Sequence, residues 1–267
     1  MQLAPAVLVH DAVESRLPGA PSGETAAPRL RLLHSFELVL PGGSLALSSG
    51  ARRLLAFLAL SGTATSRGHV AYSLWPDVEE GRAQGNLRSA MWHVRRAGAD
   101  LVGCPGGRLQ LDPHVVVDAR LAEQVAQDIL AGSEIRPTES ATQLLTAGDL
   151  LTDWYEPWVT EHRERLRQLR LHALEALSTR LLDSGRVAAA IETGLAAVAA
   201  EPLRESAHRV LVRAHLAEAN DAEALRQYER FRALLFTELG ILPSVHLEAL
   251  IAPIRAGGPR QVAAGHR

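Results

Sequence analysis

Residues 86–98 read NLRSAMWHVRRAG, with Arg88, His93, Arg95 and Arg96 and no acid. At 100° per residue, Leu87, Ala90, Met91 and Val94 fall on one face, the spacing of a helix that packs on a core. Arg88, Trp92 and Arg95 share the other side, with Ser89 and Arg96 beside them and His93 at its edge. Three arginines without an interspersed acid repel one another. The arrangement makes sense against a polyanion. A major groove admits a helix, and arginine there reads guanine through two hydrogen bonds or grips phosphate. Arg88 and Arg95 are placed nearest base edges and Arg96 on phosphate. Asn86 and Gln84 lie near the helix start and can pair with a base, a phosphate or the cap. The alternative for the whole set is a solvated basic patch.

The elements around this helix follow a recognisable order. Residues 30–33, 37–40 and 44–48 are short, partly alternating and strand-like, with a turn at Pro41–Gly43. Helical stretches follow at 51–61, apolar on most sides, and at 67–75, capped by Ser66 and stopped by Pro76. LVGCPGGRLQL at 101–111 reads as a hairpin. Sheet, three helices and hairpin describe a winged helix-turn-helix. Arg52 and Arg53 open the first helix and Arg67 the second; each is placed to reach a nucleic-acid backbone or to be solvated. Arg108 follows the hairpin turn, where it suits a minor groove, a flanking phosphate or plain solvent. The Trp92 ring is expected to cover the seam between helix and hairpin.

From about residue 117 the chain reads as helix. SGRVAAAIETGLAAVAAEP from 184 resembles ANDAEALRQYERFRALLFTEL from 219, aligning Gly185 with Asn220 and Ala189 with Ala224. A period near 34 points to tetratricopeptide-like helix pairs. Trp154, Tyr155 and Trp158 fall within five residues and are expected to dock their segment against the winged helix. The expected organisation is a flexible extension at 1–28, a winged-helix DNA-binding domain at 29–116, a helical domain at 117–254 and a flexible tail at 255–267.

Bulk properties bound the reading. Net charge is −2 over 267 residues and the pI is about 6.6, so a nucleic-acid reading rests on local charge. Residues 29–116 hold ten Arg against six acids, and every basic residue of the chain is Arg. Cys104 is the single cysteine, which excludes a disulfide within the chain and a multi-cysteine zinc site. No apolar run reaches membrane-spanning length, and MQLAPAVLVHD makes a poor signal peptide, so a cytoplasmic location is expected. SGARRLL and CPGGRLQL lack the Lys-Ser/Thr of a phosphate-binding loop. His208 and His215 share a helix face with nothing to complete a metal site. No enzyme, cofactor or metal is expected.

Four stretches together resemble one family. SRGHVAYSLWPD at 66–77 contains Leu74, Trp75, Pro76 and Asp77. QGNLRSAMWHVRRAG spans 84–98, LLTDWYEPWVTEHRERLRQLRLHALEALSTRLL spans 150–182, and ELGILPSVHLEAL spans 238–250. In this order they resemble the Streptomyces antibiotic regulatory protein family, with its bacterial transcriptional activator domain, over about residues 29–254. The resemblance implies an OmpR-like winged helix, mixed α+β, followed by an all-α tetratricopeptide-like domain. It implies binding to directly repeated double-stranded promoter sites, beside a second copy of the chain, and contact with RNA polymerase. Many family members switch on secondary-metabolite clusters. On the family pattern the DNA-reading role falls on Asn86, Arg88, Ser89, His93, Arg95 and Arg96, and the wing role on Arg108. The wing departs from the pattern, since Arg108 stands where an aromatic often follows the glycine. Larger members add a nucleotide-binding ATPase region, expected to be absent here. A repressor of the same architecture, or a helical scaffold that binds protein through its winged helix, fits the residues as well.

Overall fold

The computed structural model describes residues 27–97, 100–132 and 139–256. Their contacts divide them into two units. One holds the described residues up to Val125 together with Glu139–Gln168; the other holds the described residues of Ala126–Thr138 and those from Leu169 onward. The first is a mixed sheet-and-helix body and the second is helical.

In the first unit, β1 (Arg29–Arg31), β2 (Glu37–Leu40), β3 (Gly43–Ser44) and a later strand, Val116–Val117, form one sheet in the order β3-β2-β1 and then Val116–Val117. Leu30 stands opposite Leu38 in the antiparallel β1–β2 pair and beside Val117 in a parallel pair. All three are buried, as alternation on a one-sided sheet requires. Of the expected third strand, 44–48, Ser44 pairs with β2 beside Gly43 of the expected turn, and the Leu45 N–H donates to the Leu38 carbonyl at 3.1 Å; from there the chain leads to Ser48. Ser48 caps α1 (Ser49–Ser61), which ends at Gly62 in a left-handed turn (φ +71°). Ala51 and Leu54 to Ala59 are buried, so α1 is the centre of this core.

The Ser66 side chain accepts from the His69 N–H at the start of α2 (Arg67–Leu74). Next, α3 spans Glu80–Arg95 and buries Ala83, Leu87, Ala90, Met91 and Val94. It begins six residues ahead of the stretch read as helical from the sequence. Gly81 and Gly85 in that first part weaken intrinsic helix preference, and packing through Ala83 overrides it. The hairpin is β4 (Val102–Gly103) and β5 (Gln110–Leu111), joined through a 3-10 turn at Pro105–Gly107. Thr65 and Leu109 exchange backbone hydrogen bonds of 2.8 Å, fastening the hairpin to the α1–α2 loop. Val116–Val117 is β6 in chain order.

Asp118 opens α4 (Asp118–Leu130). Its carboxylate accepts from the backbone N–H groups of Leu32 (2.8 Å), Leu33 (3.1 Å) and Ala119 (2.6 Å). Burial pushes this carboxyl above the ordinary range, opposed by the three N–H donors. Two residues on, Arg120 donates to the carbonyls of Ala59 (2.7 Å) and Leu58 (3.1 Å) near the C-terminal end of α1. After α5 (Glu139–Thr146), Leu150 bridges to Leu33. Arg163, in α6 (Pro157–Asp183), donates to the carbonyls of Leu150, Leu151 and Trp154. One side chain thus shapes the aromatic segment before it.

The second unit contains the later part of α6, then α7 (Val187–Ala200), α8 (Glu205–Ala217), α9 (Asp221–Leu239) and α10 (Val245–Arg255). Gly185 (φ +77°) and Ala219 (φ +58°) make the turns into α7 and α9, 34 residues apart. Ala190 and Ala224, also 34 apart, are both fully buried. The sequence alignment of Ala189 with Ala224 was therefore one residue out: Ala189 is only half-buried. Gly194 lets α7 approach α8, since a Cβ there would lie 3.3 Å from the Leu211 Cα. Tyr228, Phe231, Leu247 and Ile251 lock α9 to α10, and the Tyr228 hydroxyl donates to Glu248 at 2.7 Å.

The expected flexible extension and tail lie outside the described residues, except for 27–28 and 255–256. Arg255 is the last residue of α10 and pairs with Glu229.

Candidate nucleic-acid interface

The buried stripe of α3 fixes what its other side presents. Arg88, Ser89, Trp92, His93, Arg95 and Arg96 are all exposed, and Asn86 is half-buried. The face also carries Arg82, exposed and one turn before Asn86, which the sequence reading missed because the helix was started too late. Its position one turn ahead of Asn86 was the available signal. Among the described residues none of Arg82, Arg88, Arg95 and Arg96 is paired with an acid. Three guanidinium groups on α3 and a fourth at its C-cap thus lack internal neutralisation, and a guanidinium is a planar fork of donors.

Trp92 corrects an expectation. It does not seal the helix–hairpin seam but is 51% exposed on this face. The Arg96 guanidinium lies 4.7 Å from its ring centroid, and His93 meets it edge-on at 4.9 Å. Position 92 points away from the Leu87–Met91–Val94 stripe, so the ring finds its partner one turn along its own helix.

At the wing, Arg108 donates from Nε to the Ala64 carbonyl at 3.0 Å. Arg67 reaches the Cys104 Sγ at 3.5 Å. Both arginines are exposed, and both tie the hairpin to the neighbouring α1–α2 region while standing beside it. Arg52 and Arg53 are not held out for a phosphate. The Arg53 Nε lies 3.1 Å from Glu156 Oε1, and the Arg52 guanidinium covers Phe36 (5.1 Å) and Trp154 (5.7 Å). An adjacent carboxylate and two ring faces compete for them more effectively than solvent.

Trp154 is buried and stacks on Phe36 at 6.0 Å, while Trp158 meets Phe57 edge-on at 5.3 Å. Trp75 packs partly buried against the same core. Tyr155 does not share in this packing: at 86% exposure it lies outside. Among the described residues no group of three His, Cys, Asp or Glu forms a metal cage. No helix of the described residues is long and apolar enough to cross a membrane.

The model of the bacterial transcriptional activator domain matches residues 117–255, more than half of the sequence. The chain belongs to this family. The family expected from the four stretches is the one found. Among the relatives of this transcriptional activator family member is the regulatory protein AfsR of Streptomyces coelicolor. It is 30% identical over 274 residues, covering 92% of this chain and 26% of the relative. The regulatory protein AfsR of Streptomyces griseus is 28% identical over 249 residues, covering 89% and 25%. The chain thus spans about a quarter of the length of the curated relatives it matches. Its fold is similar to that of Mycobacterium tuberculosis EmbR, solved in complex with a low-affinity phosphopeptide. The TM-score is 0.62 at 22% identity, over 88% of this chain and 66% of that one.

Proposed function

We propose that this transcriptional regulator is a sequence-specific activator that binds double-stranded promoter DNA at directly repeated sites. The winged helix at 29–116 places α3 in the major groove. Arg88 and Arg95 read base edges, Arg96 and Arg82 engage phosphate, and Asn86, Ser89 and His93 line the same contact. Arg67 and Arg108 hold the wing beside the flanking backbone. The tetratricopeptide-like half, 117–254, orients a second copy on the neighbouring repeat and contacts RNA polymerase. The regulated genes are those of a secondary-metabolite cluster, and the protein works in the cytoplasm without catalysis or cofactor.

One observation carries the DNA reading: Arg82, Arg88 and Arg95 on the exposed face of α3, with Arg96 at its C-cap, have no acid partner among the described residues, on the side away from its buried stripe. The activating sign and the polymerase contact draw their support from the family and from the regulatory relatives. Selection of genomic fragments by the purified chain across a salt series tests the reading. Recovery of a shared direct repeat beside promoters is expected. Salt-sensitive capture without a common sequence would leave only a generic basic patch.

A further inference from the structure

The second unit contains an open groove of about 640 Å³, walled by α6 and α8 with the end of α4 at its rim. Its size suits a few side chains of a ligand, within the roughly 300–1,000 Å³ usual for binding clefts. Leu130, Ala176 and Val210 supply apolar wall, and Leu130 is 42% exposed. Arg180 lies on α6, and Arg209 and Arg213 lie one turn apart on α8. Among the described residues no acid or hydrogen-bond acceptor takes up any of these three guanidinium groups. The groove's own carboxylate, Glu175, is already engaged by Arg204 and by the Ser206 hydroxyl at 2.7 Å. Three arginines therefore converge on one concavity without compensation, and the local charge favours an anionic occupant.

We infer that this groove binds an acidic peptide segment of another protein, with apolar side chains interspersed among its carboxylates. The carboxylates pair with the arginine forks, which match them in bidentate geometry. The apolar side chains cover Leu130, Ala176 and Val210. A nucleic-acid backbone fits less well, because it offers nothing to the apolar wall of Leu130, Ala176 and Val210. The inference is independent of DNA reading by α3, whose residues lie in the other unit.

The test is selection of displayed random twelve-residue peptides on the full chain, followed by fluorescence anisotropy with the recovered peptides. The expected winners carry at least two acids and an apolar residue, and salt weakens their binding. They should bind the Arg180→Gln/Arg209→Gln/Arg213→Gln variant at least tenfold less tightly. If thermal melting shows that the triple variant is unfolded, the single variants Arg209→Gln and Arg213→Gln are each expected to lose about threefold. No enriched peptide, winners without acids, or equal affinity for the folded variants would overturn the inference. So would inorganic polyphosphate binding with the same arginine dependence while peptides do not.

Discussion

The Arg96 guanidinium lies over the Trp92 ring, 4.7 Å from its centroid. A half-exposed tryptophan contributes little to the core, but it restricts where Arg96 points. An exposed cation–π contact is worth roughly 0.5–1 kcal/mol. On the proposed DNA reading, Trp92→Ala is expected to weaken specific binding about threefold at fixed salt, with the thermal midpoint almost unchanged. A matching fall in stability would show instead that the ring serves the fold.

Arg88→Ala and Arg95→Ala are expected to act differently from Arg96→Ala. A bidentate base contact is worth about 1–3 kcal/mol against the wrong base. Loss of either of the first two should reduce affinity for the recovered site sharply and relax sequence preference. Arg96→Ala should weaken binding to all sequences alike and lower the salt slope by about one. Unchanged affinity and specificity in both Arg88 and Arg95 variants would remove α3 from the DNA contact.

The order of strands, helices and hairpin was legible because each element carries a local signal: alternation in β1 and β2, a serine cap before α2, a glycine turn in the wing. The inward stripe of α3 was legible for the same reason. What failed depended on distant partners or on an ambiguous composition. Nothing near Arg53 announces Glu156, and nothing near Arg52 announces Trp154. Ala188 to Ala190 are chemically identical, so only packing reveals that Ala190 is the buried one. The start of α3 was hidden by two glycines whose intrinsic preference opposes the structure they adopt.

Two helical glycines should respond differently to the same substitution. Gly→Ala in a helix gains about 1 kcal/mol of intrinsic preference. At Gly85 the nearest atom to a new Cβ is the flexible Arg88 Nη2 at 3.7 Å, so Gly85→Ala should raise stability by about that amount. At Gly194 the new Cβ meets the Leu211 Cα and Cβ at 3.3 Å. Overpacking against backbone typically costs about 1–3 kcal/mol, so Gly194→Ala should be neutral to destabilising. Denaturant unfolding of the two variants decides; stabilisation at Gly194 would mean that α7 and α8 separate easily.

The last expectation concerns acid. His208 is buried and stacks on Phe231 at 4.0 Å. Its Nε2–H donates to the Pro202 carbonyl at 2.8 Å, leaving Nδ1 to accept from Gln227 at 2.8 Å. Burial holds this imidazole below its ordinary range, although Pro202 and Glu205 pull the other way. Above the unfolded pKa of about 6.5 both states are neutral and the contribution to stability is complete. As pH falls through that value, the unfolded chain takes a proton that the folded ring resists, and stability declines toward the folded pKa. His162, also depressed by burial and by Arg165, acts with the same sign in the first unit. Thermal melts from pH 8 to 5 should therefore show a falling midpoint. His208→Gln should lower the midpoint at pH 8 yet flatten its fall with acid. An unchanged slope would mean that the proton is taken up elsewhere.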